Sequence, residues 1–153
     1  MARTLIDLDV RDILRKKEEP FQHIMQAVEQ LTANDVLQLH TTFEPTPLLR
    51  VLSGKGYTNT ARKMSDDHFI IQFYHSDSNV PYWHMDNRAL QPPEPMIRSL
   101  ELLEEKKFLA GEWGLEIWNE RVPALLLPEL DERSFQYDIE DEGANTVVVR
   151  IHR

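Results

Sequence analysis

The chain has 153 residues, 41% hydrophobic and 28% charged, the composition of one ordinary folded domain or of two very small ones. No stretch approaches the roughly 18 uninterrupted apolar residues of a membrane span, and the lack of any cysteine removes disulfides, thiolate nucleophiles, iron–sulfur clusters and thiolate zinc sites together. A formal net charge of −9, with one short basic cluster (Arg15-Lys16-Lys17) followed at once by Glu18-Glu19, argues against nucleic acid and anionic membranes as partners.

The first dozen residues carry no positive segment ahead of an apolar core, so the protein is expected in the cytoplasm. "LIDLDVR" (Leu5 to Arg11) is extended and ends in Asp9-x-Arg11. A polar turn follows, and Pro20 opens a helix, where a missing N–H costs nothing. Its Phe21, Ile24, Met25, Val28 and Leu31 follow one helical stripe. "DVLQLH" (Asp35 to His40) alternates with period two, as a half-buried strand does. "TTFEPTPLLRVL" (Thr41 to Leu52) passes Pro45 into a short Leu-rich helix. A hairpin then turns near Ser65-Asp66-Asp67, and the polar segment "HSDSNVP" (His75 to Pro81) marks a boundary.

The same series then runs a second time. "PYWHMDNR" (Pro81 to Arg88) ends in Asp86-x-Arg88, at an offset of 77 from the first copy. Pro95 answers Pro20 at an offset of 75 and opens a helix with Met96, Leu100 and Leu103 on its stripe. "GLEIWN" (Gly114 to Asn119) and "NERVPALLLPEL" (Asn119 to Leu130) repeat the second strand and second helix at an offset of 78, with Pro123 on Pro45. That offset also lays Tyr57 on Phe135, Ile71 on Val149 and Phe73 on Ile151, within a last hairpin turning near Glu142-Gly143-Ala144-Asn145. Each half therefore reads β-α-β-α-β-β. The expected fold is α+β: two tandem two-layer sandwiches, residues 1–77 and 78–153, each a four-stranded mixed sheet with two helices on one face.

"MDNRALQPPEP" resembles the opening motif of the TusA/SirA-type sulfur carriers, an Asp-x-Arg strand end followed by Gly-Leu-x-Cys-Pro-x-Pro and a helix. Asp86, Arg88, Leu90, Pro93 and Pro95 match, Ala89 stands for the glycine, and Pro92 stands where that family has its cysteine. A closer resemblance is to the tandem domain of unknown function 2249 family, found beside hemerythrin-like proteins of nitrogen-oxide and anaerobic respiration. Its members read Asn-Asp-His-Asp-Pro-x-Pro-Leu after the second strand. Here Glu44, Pro45, Pro47 and Leu48 keep that motif in the first copy, and Asn119, Glu120, Pro123 and Leu126 keep it in the second. Phe43 and Arg121 replace its histidine.

The resemblance implies a helix start that once stabilised a thiolate through free N–H groups and the helix dipole. Without the sulfur, such a start can still hold a small anion, with Pro92, Pro93, Glu94 and Arg88 around it, or Glu94 can cap the helix itself. Asp86 and Arg88, two apart on a strand, can pair on one face. Asn119 and Arg121 complete the candidate set, and Asp9, Arg11, Thr41 and Phe43 are its first-copy equivalents. The first copy is two residues longer before its helix, which shifts its geometry and makes the second half the better place for a site.

The six histidines show no metal-ligand spacing, and His84-Met85, adjacent on a strand, face opposite ways and cannot grip one metal. No metal or cofactor is expected. The three tryptophans fill core or interface. With no nucleophile and no catalytic constellation, the reading is a non-catalytic tandem module. It would be a binding or regulatory partner in redox, sulfur or nitrogen-oxide metabolism, engaging a protein partner or a second copy. The alternative is a small anion- or acid-binding, enzyme-like domain using the helix start after Arg88, with Asp86 and Glu94 as acid/base groups.

Overall fold

Strands form where apolar residues alternate with polar ones, and the computed structural model, which describes residues 3–153, places them at the repeat's own spacing. The chain divides into two units, one ending at Ser78 and the other running Asn79–Arg153. In the first, β1 (Leu5–Asp9), α1 (Arg11–Arg15), α2 (Phe21–Glu29), β2 (Val36–Thr41), α3 (Thr46–Gly54), β3 (Thr58–Ser65) and β4 (His68–Tyr74) make one sheet of order β1-β2-β4-β3. The second has β5 (Tyr82–Asp86), α4 (Glu94–Leu103), α5 (Lys106–Leu109), β6 (Gly114–Asn119), α6 (Leu126–Glu132), β7 (Gln136–Gly143) and β8 (Thr146–His152). Its order is β5-β6-β8-β7.

Register repeats pair for pair. Parallel Leu8↔Leu39 answers Met85↔Ile117, and antiparallel Leu37↔Phe73 and Leu39↔Ile71 answer Leu115↔Ile151 and Ile117↔Val149. Even the irregularity between Lys63 and Ser65 recurs between Asp141 and Gly143. The chain is thus α+β, two similar tandem units with mixed four-stranded sheets.

The helix-covered face of each sheet carries one core cluster. In the first unit Leu37, Leu39, Ile71 and Phe73 meet Ile24 and Val28 of α2 and Leu48 and Leu52 of α3. At an offset of 78 the second unit buries Leu115, Ile117, Val149, Ile151, Leu126 and Leu130. At an offset of 75 Ser99 and Leu103 take the places of Ile24 and Val28. Ser99 is fully buried because its hydroxyl donates to the Pro95 carbonyl, 2.8 Å away, one turn back.

Four sequence expectations need correction. Phe21 is 43% exposed and Met96 is only partly buried, so the apolar stripe of each helix is not buried along its whole length. The polar turn after β1 is partly the short helix α1, whose Ile13 and Leu14 pack on the core. A further short helix, α5, follows α4 and buries Phe108, so each unit has three helices where two were expected. Proline does not hold one helical position: Pro20 directly precedes α2, Pro95 is the second residue of α4, and α6 begins three residues after Pro123.

The second hairpin closes on Ala144 and Asn145, both left-handed at φ 50° and 60°, as a type I′ turn requires. Asn tolerates this; Ala does not. Ala144→Gly is therefore expected to raise stability by about 0.5–1 kcal/mol, strain relief exceeding glycine's entropic cost. Chemical denaturation of the two proteins checks it, and a lower midpoint for the variant would contradict it.

Candidate functional site

Two parallel strands of the second unit end side by side, and the side chains there are polar although they lie on the core face. Asn87, directly after β5, is 2% exposed, and Asn119, the last residue of β6, is 8% exposed. The Asn87 backbone N–H donates to the Trp118 carbonyl at 2.8 Å, extending the ladder by one step. Asn87 Nδ2 donates to Asn119 Oδ1 at 3.0 Å, and Arg98 of α4 donates to Asn87 Oδ1 at 3.3 Å.

Above this floor is a pocket of about 490 Å³. One wall is the loop from β5 into α4, with Leu90, Pro92, Pro93, Pro95 and Met96. The other follows β6, with Val122, Pro123, Leu125 and Leu126, while Gln91, Glu120 and Arg121 stand at its rim. Prolines suit such walls, since they present carbon and remove N–H groups that would need partners. The Pro92–Pro93 peptide is cis. Leu125 is 79% exposed, so the apolar lining runs out to the surface.

The sequence-derived residues separate into two groups. Pro92, Pro93, Asn119 and Arg121 line the pocket together. Asp86 and Arg88 do not. Arg88 turns back, donating to Asp86 through Nε at 2.9 Å, through a second guanidinium nitrogen at 3.0 Å and through its backbone N–H at 3.1 Å. It also donates to Thr146 Oγ1 at 3.1 Å and stacks over Trp118, its guanidinium carbon 5.1 Å from the ring centre. The pairing arises from a turn after the strand rather than from strand alternation, because β5 stops at Asp86. Asp86 holds the Arg88 guanidinium above its ordinary pKa, against the opposing effect of burial. Glu94, in the first turn of α4, lies outside the pocket and makes no capping bond; Pro93 is the N-cap.

In the first unit Asp9 and Arg11 form the same fork, with Nε and a second nitrogen reaching the carboxylate at 3.0 Å and 2.7 Å. Arg11 holds the Asp9 carboxyl well below the usual carboxylate range. The strand ends differ, however. Val10, fully buried, stands where Asn87 stands, and Thr41 takes the place of Asn119 and spends its hydroxyl on the Phe43 carbonyl at 2.6 Å. Phe43 is 53% exposed.

Sequence reading missed a second constellation. His40 Nε2 lies 2.7 Å from Asp7 Oδ1 and its Nδ1 lies 2.9 Å from His68 Nε2. A carboxylate only accepts, so His40 carries a proton on Nε2, while the donor and acceptor roles of His40 Nδ1 and His68 Nε2 follow the tautomers of the two rings. The two histidines are 28 residues apart and meet only through the register of β2 with β4, so no local spacing announces them. Among the described residues no group of three His, Cys, Asp or Glu is placed to hold a metal. Asn87, Met96 and Leu125 were missed because their role is fixed by two loops meeting, not by a motif.

A family model described as an uncharacterized conserved protein (DUF2249) matches the chain twice, over residues 7–75 and 84–153. No curated protein and no solved structure matches it.

Burial, with the charges of Arg11 and His40, pushes the His68 pKa down, against the opposing pull of Asp9 and Asp67. A lowered histidine pKa contributes stability that is complete above its unfolded value, about 6.5, and lost as pH falls through it. Asp9, also lowered, contributes stability that is lost only below about pH 3.9. Denaturation midpoints should therefore drop between pH 7 and 5 and again in stronger acid. His68→Asn should flatten the first drop; an equally steep drop in the variant would contradict the assignment.

Proposed function

The chain belongs to the DUF2249 family of uncharacterized conserved proteins, carried here as two tandem copies, and from that premise we propose a non-catalytic binding or regulatory module. It acts in the cytoplasm, in redox, sulfur or nitrogen-oxide metabolism, with a protein partner or a second copy, and the pocket of the second unit is its place for a small ligand. The observation that carries this reading is the pocket's lining. Pro92 occupies the position that holds the reactive cysteine in the sulfur carriers the segment resembles, on a lining that is mostly apolar. Asp86 and Arg88, the charged pair of the motif, satisfy each other outside the pocket.

Exposed Leu125 and Val122 continue the apolar wall outward, which supports contact with another surface as well as enclosure of a small molecule. The second reading, binding of a small acid at the start of α4, is favoured by Asn119, whose amide lies at the pocket floor. Acid/base chemistry has little support, since Asp86 and Glu94 both stand off the pocket.

Titrating a small-molecule library into ¹⁵N-labelled protein tests the proposal. Shift changes are expected at residues 87–96 and 119–126, with no compound converted. Conversion of a compound that is lost in Arg88→Ala with the fold intact, or binding confined to other residues, would contradict it.

A further inference from the structure

We infer that the second unit's pocket takes a small carboxylate with an apolar body, its head group held by the Asn119 side-chain NH₂ and the Met96 backbone N–H. This rests on the pocket being the place of binding, and names what binds there.

The argument starts from a one-way chain of donors. A guanidinium only donates, so the Asn87 atom facing Arg98 at 3.3 Å is its oxygen. Asn87 must then turn its NH₂ to Asn119, which must answer with its own oxygen, at 3.0 Å. The Asn119 NH₂ is left over. It has no hydrogen-bond partner, and among the described residues no side-chain nitrogen or oxygen that is sealed from solvent lacks one, so this NH₂ reaches the open space of the pocket that Asn119 lines. Asn119 itself is 8% exposed. Arg98, which does not itself line the pocket, is a positioning residue that acts through Asn87 to fix which end of the Asn119 amide the pocket sees.

The helix start supplies a second donor. Of the first four residues of α4, Glu94 donates its N–H to Gln91 at 3.0 Å, Pro95 has none, and Ile97 donates to Pro93 at 3.1 Å. Only Met96, whose residue lines the pocket, keeps a free N–H, at the positive end of a ten-residue helix. Arg121 at the rim makes no ion pair, and Glu120 beside it is the one carboxylate of the lining. Two unspent donors on one lining suit an oxygen group that accepts from both, and a carboxylate, with two oxygens and a charge, does so most strongly. Apart from Asn87 and Gln91 the rest of the lining is apolar, and the volume falls in the roughly 300–1,000 Å³ of small-molecule sites.

The first unit is an internal control. It builds the same strand ends with Val10 and Thr41, so the fold does not require an asparagine pair; the second unit keeps one that leaves a donor unspent.

Calorimetry with benzoate and with benzamide, which share a shape and differ in charge, tests this on the full chain. Benzoate should bind at least about tenfold more tightly than benzamide, as charged hydrogen bonds differ from neutral ones. Asn119→Asp, which can still accept from Asn87, should weaken benzoate by about tenfold or more through repulsion. Arg98→Met, which frees Asn87 to flip, should weaken it severalfold and decides the matter if the first variant fails to fold. Benzamide binding as tightly as benzoate, or benzoate binding unchanged in both variants, would overturn the inference. Neutral compounds mapping to the pocket while benzoate does not would overturn it and leave the binding role standing; an empty pocket against every probe would end both.

Discussion

Each unit is organised by a strand that is paired in opposite senses on its two sides. β2 runs parallel to β1 and antiparallel to β4, and β6 does the same with β5 and β8. A parallel pair cannot be joined by a tight turn, so the chain must cross over a helix between its members. That requirement brings two strand ends, one helix start and the loop after the second strand to a single edge of the unit. Whatever residues occupy that edge face one another because of the connectivity, before any of them is asked to bind anything.

The two copies use this edge differently. In the first, Val10 caps the core, α1 lays Ile13 and Leu14 against it, and Thr41 bonds to its own loop. In the second, the loop is shorter, proline replaces the short helix, and an asparagine stands at each strand end. Filling the edge with apolar side chains is the cheaper solution, since buried amides must have every donor and acceptor matched or opened to solvent. The second copy carries that cost with Arg98 as the lock, and the outcome is a floor that offers a donor beneath carbon walls. The Asp-x-Arg fork, common to both copies, belongs instead to the turn that follows the first strand, and it closes that turn in each unit.

Much of the fold was legible because period-two and helical stripes recur at fixed offsets, and a repeat constrains each element twice. The ladders follow the offset of 78 residue for residue. What escaped was set by tertiary placement. The stripe rule grouped Phe21 and Met96 with the buried residues of their helices, but Phe21 is exposed and Met96 only partly buried. α1 and α5 are too short for a periodic signal. At the site, Pro92, Pro93, Asn119 and Arg121 line one pocket, whereas Asp86 and Arg88, named from the same motif, and Glu94, named as a first-turn residue, stand outside it. Arg98 lies on a helix face whose meaning depends on an asparagine eleven residues back, and the His40–His68 contact depends on strand register; neither is visible in a linear pattern.

The most direct measurement is hydrogen exchange of the side-chain amides of Asn87 and Asn119, resolved by NMR in the unliganded protein. The Asn87 NH₂ is tied to Asn119 and should exchange slowly, while the Asn119 NH₂, bonded to nothing and open to the pocket, should exchange much faster. Equal protection of the two, or a protected Asn119 beside an exposed Asn87, would contradict a pocket floor that holds a donor in readiness.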